Sequence, residues 1–165
     1  MSQTRAGDRS EPYRRYVAPE FLEHCHPRIA AFYRYWDGKR QNRPMPSRAD
    51  IDPAEIIGFL PGVVLVDVER DPFRLTYRLV GTREVDARGY DPTGKSVFEH
   101  CIGVDPQEVI ENYRLVVEDK RIVFDPEVIR SAEVQLEEVG CLYLPLSTDG
   151  ETVDMVLIYS HHRMI

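Results

Sequence analysis

The sequence predicts an α+β protein built on a largely antiparallel sheet, and three observations carry that expectation. "VVLVDV" (63–68) and "FRLTYRLV" (73–80) read as strands, and the connection "ERDP" between them is short enough only for an antiparallel hairpin. The final third, from "RIVFD" to "TVDMVLIYS", is strand-like again. Before and between these strands lie segments whose apolar residues return every three or four positions, as on one face of a helix. A sheet of this kind must cover its apolar face, and the intervening helices are what is available to do so.

Taken in order, residues 1–19 are polar and rich in Arg, and read as a loose N-terminal arm ahead of a single domain over 20–165. From Phe21 a helical period runs through Leu22, Cys25, Ile29, Phe32 or Tyr33, and Trp36, with its end expected near Gly38. "NRPMPSRADIDP" holds too many prolines and polar residues for a regular element. Its end carries a helix start: Asp52 can accept from free backbone N–H groups, Pro53 suits the first turn, and Glu55 follows three places after the cap. A short helix over 53–59 is predicted. In the hairpin's second strand, Phe73, Leu75, Tyr77 and Leu79 should face one way and Arg74, Thr76 and Arg78 the other. After Gly81 only short, turn-rich pieces appear. Asp105, Pro106 and Glu108 then open a longer helix, with Val109, Tyr113 and Val116 or Val117 on its inner side. In the last third Val134, Leu136, Leu142, Leu144 and Leu146 share one strand face provided no bulge intervenes. "STDGE" turns the chain, and Met155, Leu157 and Tyr159 face one way on the returning strand.

Composition narrows the function. The chain has 165 residues, 42% hydrophobic and 30% charged, as in an ordinary globular protein. Its 28 acidic and 21 basic side chains give a net charge of −7, which offers no general attraction for nucleic acid or anionic lipid. The apolar runs are broken well before about 18 residues, so no membrane partner and a cytoplasmic location are expected. Three widely spaced cysteines, Cys25, Cys101 and Cys141, write neither a disulfide framework nor a zinc knuckle.

"RGYDPTGKSV" (88–97) matches the nucleotide-loop pattern G-x-x-x-x-G-K-[ST] at Gly89, Gly94, Lys95 and Ser96. The surroundings reject nucleotide binding. The preceding strand ends near Val80, Asp91 would set negative charge where phosphate belongs, Pro92 lacks an N–H, and "VFEHCIGV" is too short for the supporting helix. Asp91 to Gly94 reads instead as a tight turn delivering Val97 and Phe98 into the core. His24 and His26 point about 200° apart on a helix, and nothing places His100 or the pair His161 and His162 beside them, so no metal site is expected. Ser47, Asp50, Asp52 and Glu55 serve caps and turns, and Arg48 is expected to bridge Asp50 or Asp52 to the sheet. No pattern specifies acyl, phosphoryl or glycosyl transfer, and the chain is not expected to be an enzyme.

The segments "YWDGKR", "PSRADIDPAEIIGFLPGVVLVDV", "RLTYRLVGTREVDARGYDPTGKSV" and "LPLSTDGETVDMVL", in that order, resemble a bacterial PAS-like family of small proteins over about residues 21–159. The resemblance implies a five-stranded antiparallel sheet of order 2-1-5-4-3, helices between the second and third strands, and an extra N-terminal helix. It implies no cofactor here: the helix "DPQEVIENYRLVVEDK" holds no His for haem, and the asparagine-rich motif of flavin photosensors is absent around Cys101. Val64, Val66, Tyr77, Leu79, Tyr90, Phe98, Tyr113 and Tyr143 are the candidates to surround the ligand cavity of such a fold, or else to fill it. The implied function is sensory or regulatory, through a small-molecule ligand or a signalling partner protein. The alternatives are an interaction module with a filled core and an uncharacterised enzyme. Phe21, Ile29, Tyr33 and Trp36 are candidates for a homodimer interface, the other reading being that their helix covers its own sheet.

Overall fold

A computed structural model describes residues 14–131 and 134–165. Strands β1 (Val63–Glu69) and β2 (Arg74–Val80) form the expected hairpin, followed by β3 (Val123–Asp125), β4 (Ile129–Ser131), β5 (Leu136–Leu146) and β6 (Met155–Met164). Every pairing is antiparallel, in the order β2-β1-β6-β5-β3, with the short β4 also paired to β5. The five-strand path is therefore the one the resemblance implied, with β4 added. Helices α1 (Pro27–Arg40), α2 (Thr82–Arg88), α3 (Val97–His100) and α4 (Pro106–Asp119) surround it.

The two central strands are covered on both sides. On one side Phe32 of α1 stacks on Tyr159 at 4.8 Å between ring centroids. On the other, Tyr113 of α4 meets Tyr143 edge-on at 5.2 Å. Tyr159 pairs with Leu142, and Tyr143 with Ile158, so alternate residues of the same two strands feed two separate layers.

The N-terminal region differs from its periodicity. The helix expected from Phe21 onward is two elements, a 3-10 turn at Pro19–Glu23 and then α1. Pro27 is the cause: it lacks an N–H and its ring would strike the carbonyl four residues back, so it is stable only at a helix start. His26 caps that start, its Nδ1 accepting from the Arg28 N–H at 3.1 Å. The helix also runs past Gly38 to Arg40, where Gln41 turns left-handed with φ 49°. The proposed interface residues are a correction too. Phe21, Ile29, Tyr33 and Trp36 are all buried inside their own protomer, and the Trp36 Nε1–H donates to the Pro145 carbonyl at 3.0 Å. Of the expected loose arm, residues 1–13 lie outside the described residues. The remainder is docked: Tyr16 exchanges backbone hydrogen bonds of 2.8 and 2.9 Å with Phe124, and Arg15 pairs with Glu108.

The short elements follow their caps. Asp52 accepts from the Ala54 N–H at 2.9 Å and opens a 3-10 helix over Pro53–Gly62, while Ser47 and Asp50 form a reciprocal capping box. Glu55 pairs with Lys39. Arg48 is not the bridge expected of it: it donates to the Ile51 carbonyl, and Arg43 is the residue that pairs with Asp50. In the nucleotide-like loop Asp91 accepts from the Thr93 N–H and hydroxyl, Gly94 takes φ 85°, and its N–H donates to the Tyr77 carbonyl at 2.7 Å. Lys95 is exposed and Val97 is fully buried, but Phe98 stays at the surface against Phe73.

Two bulges decide which way side chains point. Leu65 lies opposite Leu79 while Val66 lies opposite Tyr77, so Arg78 is an extra residue and the strict alternation of β2 breaks there. In β5, Glu138 is opposite His162 and Cys141 is opposite Ser160, leaving Val139 and Gly140 against the single residue His161. Gly140 takes φ 129°, and a Cβ there would come within 2.9 Å of the Phe124 ring. The bulge shifts the parity of β5, which places Glu138 on the same side as Cys141 and Tyr143 rather than with Leu142 and Leu144.

Candidate functional site

Between the sheet and α2, α4 and the loop after α3 lies a cavity of about 40 Å³. Its floor comes from Val64, Tyr77, Cys141, Tyr143, Ile158 and Ser160, and its walls from Val109, Tyr113, Cys101 and Ile129. Glu84, Arg88, Asp125, Glu127 and Glu138 also line it, giving it one strongly polar end. At roughly 10–15 Å³ for a single water, the space holds about three waters or a comparably small ligand.

Four of the eight cavity residues expected from the sequence are on its lining: Val64, Tyr77, Tyr113 and Tyr143. Val66 is buried in the core without reaching the cavity. Leu79, Tyr90 and Phe98 are corrections, each about 40% exposed: Leu79 at 41%, Tyr90 at 41% and Phe98 at 39%. The β2 bulge turns Leu79 to the opposite side from Tyr77. Tyr90 sits on the turn that follows α2, its hydroxyl 2.8 Å from His100 Nδ1.

The polar end is built by α2 and the bulged strands. Glu84 and Arg88 are one helical turn apart, so their side chains share a face and pair, and both are buried to within 6% of full burial. The second oxygen of Glu84, Oε1, lies 3.3 Å from His162 Nε2 without hydrogen-bond alignment. Glu138, directly across the ladder from His162, completes a group in which one donor atom from each of Glu84, Glu138 and His162 lies within 4.8 Å of the others.

The charges divide unequally. Burial disfavours ionisation of Glu84, but Arg88 and His162 outweigh it and hold the carboxyl below its usual range. Burial pushes Glu138 up, and repulsion from Glu84 adds to the rise. For His162 burial acts downward, while the Glu84 contact and the negative charge of Glu138 win and raise it. Burial also raises the thiols of Cys101 and Cys141, so both remain protonated near neutral pH. Arg88 donates from Nη1 to Glu84, and its Nη2 stands 3.4 Å from the Tyr77 hydroxyl. Its Nε is buried without a hydrogen-bond partner.

Sequence reasoning missed Glu84, Arg88 and Glu138, and weighed His162 only beside His161. A signal was present. Glu84 and Arg88 have the i, i+4 spacing of an ion pair, and His162 continues the parity of Val156, Ile158 and Ser160 into a buried face. The other histidines are engaged apart from this group: His24 stacks on Tyr16, and His26 stacks on His161 at 3.9 Å.

The structure is an α+β domain in which helices close a small, partly polar cavity against an antiparallel sheet. The chain belongs to the PAS domain family, whose pattern it matches over residues 24–159. PAS domains are in general non-catalytic sensory and regulatory modules. No curated protein matches the chain. Among solved structures it is similar to one described as an RNA-binding light-oxygen-voltage receptor, at 15% identity and a TM-score of 0.45. The match covers 70% of this chain and 35% of that one, so the chain spans about a third of that receptor's length. Among the described residues no helix is long and apolar enough to cross a membrane.

Proposed function

We propose that the protein is a cytoplasmic sensory or regulatory PAS module that takes a small polar ligand in the cavity beside α2 and α4 and reports its state to a partner protein. The observation that carries this reading is Arg88. A guanidinium 6% exposed, with its Nε unpaired at a cavity wall, holds a buried donor without an acceptor, which a ligand in the cavity can supply. The ligand must be small, because the space is well short of the several hundred Å³ typical of metabolite pockets. Native mass spectrometry of the full chain tests this. A defined added mass that is released on denaturation is expected; an unmodified chain mass, both as purified and after incubation with a small-molecule cell extract, would count against it.

A second reading, an interaction module, is favoured by the edge of the sheet. Strand β2 ends the sheet path, its outer edge already tied through Tyr77 to Gly94 and Lys95, and Phe73 and Leu79 on or beside it are 40% and 41% exposed. Exposed apolar side chains grouped at the end of a sheet offer a contact surface to another chain, a signalling partner or a second copy. With the N-terminal stripe buried, the homodimer is assigned to this surface in this second reading. Sedimentation velocity of the parent and of Leu79→Lys decides it: a parent that is monomeric at about 100 μM removes the dimer.

A further inference from the structure

We infer that Glu84, Glu138 and His162 form a binding site for a divalent transition-metal ion of the zinc class. The inference deepens the ligand reading above, and rests on it, by naming the ligand as an ion at the polar end of the same cavity. It departs from the sequence, which led to no expectation of a metal.

Three independent features converge. The first is geometry. A tetrahedral ion with bonds of about 2.0–2.2 Å separates its ligand atoms by about 3.3–3.6 Å. Glu84 Oε1 and His162 Nε2 stand 3.3 Å apart, and with the Glu138 carboxylate all three donors lie within 4.8 Å of one another. Rotation of the Glu138 side chain is what closes the remaining gap to the third donor. The donors come from a helix and from two paired strands, and the Glu138–His162 cross-strand register holds two of them together.

The second feature is the state of the donors. Glu84 Oε1 and His162 Nε2 are both buried, face each other at ion-pair distance, and make no aligned hydrogen bond. The side chains of both residues are 3% exposed. A metal cation between the two would take the place of the proton that the Glu84 contact favours on His162. Arg88 engages the other oxygen, Glu84 Oε2, and so orients the carboxylate in the way that outer partners orient metal ligands.

The third is charge. The group brings two carboxylates, Glu84 and Glu138, to one guanidinium, Arg88, so with the His162 imidazole neutral it favours a cation over an anion. Two carboxylates and one imidazole suit zinc and its neighbours better than calcium or magnesium, which prefer all-oxygen shells of higher coordination number. Three protein ligands leave a fourth position for a water or a small anion.

The full chain, stripped with a chelator and titrated with zinc ion by calorimetry, should bind one equivalent. Cobalt(II) ion should give the intense visible absorption of a tetrahedral site. Glu138→Gln and His162→Gln should each weaken zinc binding by about 100-fold or more, whereas His26→Gln, which alters the separate His26–His161 stack, should not. The cobalt spectrum of the parent chain stands even if a variant fails to fold. Absence of zinc and cobalt binding by the parent overturns the inference, as does binding that survives His162→Gln or is lost in His26→Gln. If the parent binds neither ion but retains a non-metal mass in native mass spectrometry, the metal fails and the ligand reading stands; if both are absent, both fail.

Discussion

The two sides of strands β5 and β6 are built from alternate residues of the same backbone, yet they pack in opposite ways. On the α1 side Leu142, Leu144, Leu157 and Tyr159 meet Phe32 and its neighbours in an apolar layer. On the α4 side Cys141, Tyr143, Ile158 and Ser160 face a cavity that ends in Glu84, Arg88 and Glu138, with His162 beside Glu84. The first side derives its stability chiefly from burial of apolar surface. The second surrounds ionisable groups with low-polarity walls, where each charge depends on its partner, and this dependence is what makes a site responsive to a ligand.

Breaking the apolar side should have the largest effect. Phe32→Ala removes a fully buried ring stacked on Tyr159 and should cost about 3–5 kcal/mol, read as a lower midpoint in urea unfolding. On the polar side, Arg88→Met leaves Glu84 ionised and buried beside His162 alone, at a cost of about 3 kcal/mol. Replacing both partners, Arg88→Met with Glu84→Met, should cost less than the two single changes added together, because no charge of that pair is then stranded. Strict additivity in this double-mutant cycle would show that the pair does not act as a unit.

The turns that hold these layers in register should matter less. Gly94→Val forces a β-branched residue to φ 85° in the turn that is tied to the Tyr77 backbone, and should lower stability by about 1–2 kcal/mol. Lys95→Ala beside it should change stability by less than about 0.5 kcal/mol, and calorimetry with magnesium-ATP should detect no binding to the parent or to the variant.

The smallest effect concerns the turn between β5 and β6, on which both sides depend. The Asp149 carboxylate accepts from the Thr152 and Glu151 N–H groups and the Ser147 hydroxyl, which lower it to about 2. A carboxyl depressed on folding adds stability above its ordinary value of about 4, and that contribution is lost as pH falls toward 2. The thermal midpoint of Asp149→Asn should therefore fall less steeply than the parent's between pH 4 and pH 2; parallel curves would remove the carboxylate from the account.

Local chemistry was legible in the chain. The β1–β2 hairpin follows from "ERDP" between two alternating runs, the caps at Asp52 and Asp105 follow from side-chain oxygens placed before Pro, and the turn at Asp91–Gly94 follows from Asp and Gly. Each of these is set by residues within about four positions of one another. The inward Tyr77, Tyr113 and Tyr143 were legible because a period of two or of 3.6 carries a side chain to a predictable side. Periodicity failed where a single backbone feature interrupts it. Pro27 split the N-terminal helix, the extra residue at Arg78 turned Leu79 outward, and the Val139–Gly140 bulge moved Glu138 from one side of the sheet to the other. Whether Phe21, Ile29, Tyr33 and Trp36 meet a second copy or their own sheet was also beyond the sequence, since an apolar stripe is identical in both cases. The grouping of Glu84, Glu138 and His162 was decided by the tertiary structure alone. Residues 54 and 24 positions apart become neighbours only through strand register and helix docking, which depend on the packing of the whole sheet and on no local pattern.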